Sequence, residues 1–292
     1  MTACKTMGTP SVLAGVLLLL LMYPAMTFSA TAGSGEVTLP GTRMFELASP
    51  DTGDRYLIQV AEPEAPAPEN GYSVLYLLDG NAYLPLMQAA RDTLLRAGPR
   101  EGSPLLIVAI GYPGTERFNF NRRARDFTPP GAAFNKPEQN HGGAERFLTF
   151  LTGQLKPEIR QRYLVNSDKE ALAGHSLGGL FTLYTLAQSP GSFERFIAIS
   201  PSLWWLGEAP VQALVQQLAD EQAGQTAPRI LLAVGEREQS RAMVENVSEL
   251  ARWLTRNRSG WALQTEVFAG AGHGSVMWPA AQRTMEFVAP DQ

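Results

Sequence analysis

Cysteine is nearly absent from this chain: Cys4 is the only one in 292 residues, and histidine is scarce, with His141, His175 and His273 alone. Cys4 and the isolated charge of Lys5 precede an apolar stretch at 11–22, and Ala30-Thr31-Ala32 follows it, a pattern that describes a secretory signal over 1–32. Cleavage there leaves 33–292 without a cysteine, which excludes disulfides, and a domain of that size buries enough surface to do without them. Three dispersed histidines leave few ligands for a protein-held metal, so no cofactor is expected. The apolar stretch is shorter than the roughly 20 residues of a membrane span, so export is expected, with an uncleaved anchor as the alternative.

Positive charge in excess is also lacking. Lys and Arg number 24 against 28 Asp and Glu, a formal net charge of −4 at pH 7, which makes nucleic acid a poor partner. No internal repeat or long low-complexity run divides the chain. The Pro- and Glu-rich segment 61–70 is short enough for a connection within a domain, so 33–292 reads as one domain.

What is present is an alternation of strand-like and helix-like segments. Strands are predicted at 43–47, 55–60, 72–78, 105–111, 170–174, 193–200, 229–234 and 263–268, and helices at 84–96, 144–162, 180–188, 241–255 and 280–288. Unbroken apolar runs such as Leu105-Leu106-Ile107-Val108-Ala109-Ile110 suit strands buried on both faces. Two opening strands followed by βα units imply an α/β fold: a mostly parallel central sheet with helices on both faces and antiparallel strands at the N-terminal edge.

Gly174-His175-Ser176-Leu177-Gly178 lies where a strand gives way to a helix and matches the serine elbow G-x-S-x-G, which makes Ser176 the candidate nucleophile. Bulk at Gly174 or Gly178 is expected to collide with the neighbouring strand and helix. His273, in the glycine-rich run Ala269-Gly270-Ala271-Gly272-His273-Gly274 after the last strand, stands where the chain order Ser, acid, His places a general base. His175 is expected to be structural, and His141 to be a solvated loop residue or to line a pocket. A carboxylate after the strand 229–234 completes the set, with Glu238 the first choice and Glu236 the second; an exposed acidic loop is the competing reading. Backbone N–H groups of Leu177 and of Gly80 or Asn81 are the candidates for holding an oxyanion, although Asp79-Gly80-Asn81 also reads as a turn with a helix cap.

These residues, together with Tyr76-Leu77-Leu78-Asp79-Gly80-Asn81, the segment Asn121-Arg122-Arg123-Ala124-Arg125-Asp126-Phe127-Thr128-Pro129 and Ser200-Pro201-Ser202-Leu203-Trp204-Trp205, resemble the esterase branch of the α/β hydrolases, specifically the periplasmic enterochelin (siderophore trilactone) esterases. The resemblance runs from about residue 43 to 288 and implies an α/β-hydrolase fold and a periplasmic serine esterase that cleaves the ester backbone of a catecholate siderophore. It also implies that Arg123 faces the catecholate, with Arg122 beside it. The long connection 113–143 that carries them holds Arg117, Arg122, Arg123, Arg125 and Lys136 against Glu116, Asp126 and Glu138, a local positive excess that draws anions; pairing of these arginines with Asp126 is the competing reading. Trp204 and Trp205 suit stacking against an aromatic acyl group or packing in the core. The same catalytic set serves a broader carboxylesterase of acetylated or feruloylated sugars or an acyltransferase, and a binding protein on this scaffold would need the set broken.

Overall fold

The computed structural model describes residues 1–3, 38–96, 104–131, 140–218 and 227–289. Contacts divide the chain into two units, Met1–Val37 and Thr38–Gln292. The signal expected over 1–32, with Cys4, lies almost wholly outside the described residues, as do Lys136 and Glu138.

The second unit is built on an eight-stranded sheet. A hairpin, β1 (Thr42–Ser49) and β2 (Asp54–Ala61), precedes β3 (Tyr72–Leu78), helix α1 (Gly80–Arg96) and β4 (Leu105–Gly111). Then come α2 (Phe120–Asp126), α3 (Ala144–Phe150), α4 (Lys156–Arg162), β5 (Val165–His175), α5 (Leu177–Gln188), β6 (Arg195–Ile199), α6 (Pro210–Leu218), β7 (Arg229–Gly235), α7 (Met243–Asn257), β8 (Ala262–Phe268) and α8 (Met277–Val288). The spatial order is β1-β2-β4-β3-β5-β6-β7-β8; β1 and β2 run antiparallel to their neighbours and the rest are parallel.

The apolar runs of β3 and β4 are continuous because both faces are covered. Val74, Tyr76 and Leu78 meet Leu106, Val108 and Ile110 on one face, together with the apolar sides of α3 to α7. Leu75, Leu77, Ile107 and Ala109 point the other way, onto α1 and α8. Crossovers of this kind bring the C-terminal ends of β3, β5, β6, β7 and β8 to one edge of the sheet, where the loops carrying chemistry collect.

The expected elements are present; helix α6 is not among those expected, α1 and α8 begin a few residues early, and four further differences have physical reasons. β5 begins at Val165, five residues before its apolar part, because its polar first half is exposed at Ser167, Asp168 and Lys169. The helix expected over 144–162 is interrupted by a wider turn at Leu151–Leu155. Helix α7 starts at Met243 rather than 241, since Arg241 and Ala242 both take left-handed backbone angles. The segment 120–126, expected to be loop, is the short helix α2, whose first turn is capped by Asn119 Oδ1 accepting from the Arg122 N–H at 3.1 Å.

Candidate active site

β5 ends at His175 and α5 begins at Leu177, so Ser176 occupies the bend between them, with φ 60° and ψ −117°. A non-glycine residue in that conformation is strained, and here the surroundings hold it: its N–H donates to Ile199 O at 3.0 Å and its carbonyl accepts from the Ser202 N–H at 3.0 Å. The elbow closes tightly. A Cβ on Gly174 would stand 2.2 Å from Gly178 O, so glycine is required there. At Gly178 the nearest atoms are at 3.4 Å, ordinary contact, so of the two elbow glycines only Gly174 is sterically obligatory.

The bend lifts the Ser176 hydroxyl toward the loop after β8. Ser176 Oγ is 2.9 Å from His273 Nε2, and His273 Nδ1 is 2.6 Å from Glu238 Oε2. Glu238 is 3% exposed, and its other oxygen accepts from Ser200 Oγ at 2.5 Å and from the Gly235 N–H at 2.8 Å. Burial pushes this carboxyl up, but the bonds donated by His273, Ser200 and Gly235 outweigh it and hold the group below the usual carboxylate range. An ionised Glu238 only accepts, so Nδ1 carries the imidazole proton and Nε2 presents its lone pair to Ser176. Glu236, the second choice for the acid, is exposed and turns away, accepting from the Gly270 N–H at 2.7 Å.

Two further hydroxyls, to which the sequence assigns no role, belong to the site. Ser202 Oγ lies 3.2 Å from Ser176 Oγ, and Ser200 anchors Glu238. The signal that points to them is the Ser200-Pro201-Ser202 run itself, at the end of β6, which pairs with both the nucleophile strand and the acid strand.

His175 is buried, as a structural residue should be, and it also packs on the base: its ring centroid is 4.6 Å from that of His273. Burial first, then the nearby His273 and Arg123 charges, push its pKa down to about 3. Tyr83, whose hydroxyl pKa is raised by burial and by Asp79, keeps its proton, and its oxygen lies 2.9 Å from His175 Nδ1. Because the folded pKa lies below the ordinary 6.5, the unfolded chain takes up the proton first as pH falls. Stability is therefore lost between about pH 6.5 and 3, on the order of 2 kcal/mol by pH 5. Urea titrations at pH 7 and pH 5 should show this loss, and His175→Gln should flatten it.

The arginines expected at the substrate are placed otherwise. Arg123 is 6% exposed and forms a two-pronged pair with Asp79, Nε to Oδ1 at 2.9 Å and Nη2 to Oδ2 at 2.8 Å. The Asp79 carboxylate is itself buried at the end of β3, and a buried charge demands a counter-charge. Asp126 pairs with Arg125 at 2.7 Å, as the competing reading expects, and accepts from the hydroxyls of Tyr56 and Tyr112, but it is not the partner of Arg123. Arg122 lies over the Tyr112 ring at 4.6 Å and donates to Arg55 O at 2.6 Å. Neither Arg122 nor Arg123 lines the cleft of about 480 Å³ that opens over Ser176. Asp79→Ala should consequently destabilise the fold by about 3–5 kcal/mol by stranding the Arg123 charge. The double substitution Asp79→Ala with Arg123→Met should recover much of that in chemical unfolding. Loss of Arg123 should damage hydrolysis of all esters alike rather than one substrate.

Gly80 and Asn81 open α1 beside this pair. A Cβ on Gly80 would stand 2.8 Å from the Ala109 backbone, and the Asn81 side chain is spent on β4, accepting from Tyr112 N–H at 3.0 Å and donating to Tyr112 O at 2.9 Å. Only their backbone N–H groups, with that of Leu177 at the start of α5, are suited to an oxyanion, since the first N–H groups of a helix have no partner within it. Trp205 is in the core, while half-buried Trp204 faces the cleft. His141 packs edge-on to Trp205, centroids 6.1 Å apart, and does not line the cleft. Among the described residues no three His, Cys, Asp or Glu side chains gather to hold a metal, and no helix is long and apolar enough to cross a membrane.

The sequence profile of the family described as "Putative esterase" matches residues 49–282. The chain belongs to this esterase family. It is an ester hydrolase with an α/β-hydrolase fold. The esterase is 35% identical over 265 residues to the ferri-bacillibactin esterase BesA of Bacillus subtilis (strain 168), covering 87% of this chain and 91% of that protein. It is 31% identical over 250 residues to the siderophore enterobactin esterase of Emericella nidulans (strain FGSC A4), covering 74% and 82%. The crystal structure of the BES protein from Bacillus cereus superposes with a TM-score of 0.82 at 31% identity, covering 89% of this chain and 99% of that one.

Proposed function

We propose that this esterase is an exported, periplasmic serine hydrolase that opens the ester backbone of a catecholate siderophore through an acyl-enzyme on Ser176. The observation that carries the reading is the unbroken hydrogen-bonded chain from Glu238 through His273 to Ser176, in a chain similar over most of its length to esterases named for siderophores. Export rests on the sequence of 1–32.

Ser176 Oγ attacks the ester carbonyl as His273 Nε2 takes its proton. The charge on the carbonyl oxygen is met by the backbone N–H of Leu177 and by that of Gly80 or Asn81. His273, now charged beside Glu238, returns the proton to the departing alkoxide, which leaves as an alcohol. Water then adds to the acyl-enzyme, giving its proton to His273, and collapse expels Ser176 and frees a carboxylic acid. Each cycle opens one ester, so a cyclic trilactone passes first to a linear trimer. Iron, where present, arrives and leaves with the substrate, and the chemistry draws on no protein-held metal.

Incubating the chain with iron-free and ferric trilactones, and with a p-nitrophenyl ester, tests this. Stepwise appearance of linear trimer, dimer and monomer is the expected result. Cleavage of the p-nitrophenyl ester with both trilactones left intact would contradict it and favour the broader carboxylesterase.

A further inference from the structure

The cleft over Ser176 is cationic and aromatic at its rim. Trp204, Arg237 and Arg241 line it together with Ser202, Ser176 and His273. Arg237 and Arg241 are exposed, and among the described residues neither is held in an ion pair. Of the carboxylates closest in sequence, Glu236 accepts from the Gly270 N–H, Glu238 holds His273, and exposed Glu245, four positions after Arg241, forms no ion pair with it. The Arg241 guanidinium carbon sits 3.7 Å over the Trp204 ring. Beneath it, Arg241 and Ala242 are consecutive left-handed residues, φ 59° and 52°, a conformation that residues bearing a Cβ rarely adopt. Strain of that kind persists where the surroundings impose it, and Asn246 Nδ2, donating to Arg241 O at 3.3 Å, is one of the ties.

We infer that Trp204, Arg241 and Arg237 form the subsite that selects an anionic aromatic acyl group, a catecholate, next to the ester bond being cut. This rests on the siderophore reading above and gives the recognition expected of Arg123 to a different part of the chain. A guanidinium offers parallel N–H donors in a planar fork, which matches the adjacent oxygens of a catecholate in charge and spacing. Its position over the indole orients that fork before the substrate arrives, so less freedom is lost on binding. The indole also provides a flat apolar wall for the ring. A small neutral ester gains little from any of these.

The test compares wild type with Arg241→Ala, Arg237→Ala and Trp204→Ala, using two readouts. The first is the Ki, against hydrolysis of a neutral p-nitrophenyl ester, of the ferric complex of 2,3-dihydroxy-N-methylbenzamide, which has no carboxylate and carries its charge on metal-bound catechol oxygens; the second is the ratio of kcat/KM for a ferric catecholate ester to that for the neutral ester. Arg241→Ala should raise Ki about tenfold and lower the ratio about tenfold through KM, the effect of removing one charge-assisted hydrogen bond to the substrate. Both changes should shrink at high salt, and Arg241→Lys should fall between wild type and alanine. Unchanged Ki and ratio in Arg241→Ala and in the Arg237→Ala/Arg241→Ala double variant would overturn the assignment, as would equal losses on both esters. Should wild type leave the trilactone intact, the siderophore reading fails while the Ki comparison still decides whether the subsite binds catecholates.

Discussion

Ser176→Ala is expected to lower kcat for ester hydrolysis by about four orders of magnitude or more, with a similar loss for His273→Ala and no further loss in the double variant. The serine and histidine act as one unit, since Nε2 at 2.9 Å has value only as the acceptor of the Ser176 proton. Removing either member abolishes the same step. Circular dichroism and thermal unfolding should stay near wild type, because the His273 side chain is partly exposed and Ser176 is held in place chiefly by backbone bonds to Ile199 and Ser202. Near-native turnover by either variant, measured on the same ester, would remove Ser176 from the nucleophile's role.

Glu238→Gln is expected to cost about 10³- to 10⁴-fold in kcat, and Glu236→Gln less than about threefold. The Glu238 carboxylate accepts from three donors at once: His273 Nδ1, Ser200 Oγ and Gly235 N–H. A glutamine has one oxygen for them. If that oxygen stays with Ser200 and Gly235, its NH₂ faces Nδ1 and drives the imidazole proton to Nε2, where it blocks acceptance from Ser176. Glu236 touches only the Gly270 N–H, at the surface. Near-wild-type kcat in both Glu238→Gln and Glu236→Gln, and in the double variant, would show that the enzyme runs on serine and histidine alone.

The legible parts of this molecule are those whose physics is local. β3 and β4 match their expected bounds because strands covered on both faces are apolar at every position. The elbow is readable because a strand, a strained serine and a helix follow one another within a few residues, and His273 because a glycine-rich loop follows the last strand. The placement of Arg123 and the helix α2 share another cause, charge buried by partners distant in sequence. Arg123 looks like a loop cation until Asp79, 44 positions earlier, is brought against it. α2 does not read as a helix because its buried face carries Arg123 and Asp126 rather than a run of apolar residues, inverting the usual helical pattern. Arg241 and Trp204, 37 positions apart, meet because β6 and β7 are neighbours in the sheet, and no spacing in the chain announces that meeting.

The most direct test of the central claim is covalent. Diisopropyl fluorophosphate reacts with an activated serine by forming an O–P bond as fluoride leaves, and it depends on the same proton acceptor as ester hydrolysis. Treated with it, the protein should lose activity as one phosphoryl adduct accumulates, peptide mass spectrometry should place that adduct on Ser176, and labelling should slow sharply in His273→Ala. An adduct on any other residue, or full activity retained with Ser176 unmodified under conditions that inactivate serine hydrolases, would contradict the claim that Ser176, His273 and Glu238 carry the reaction.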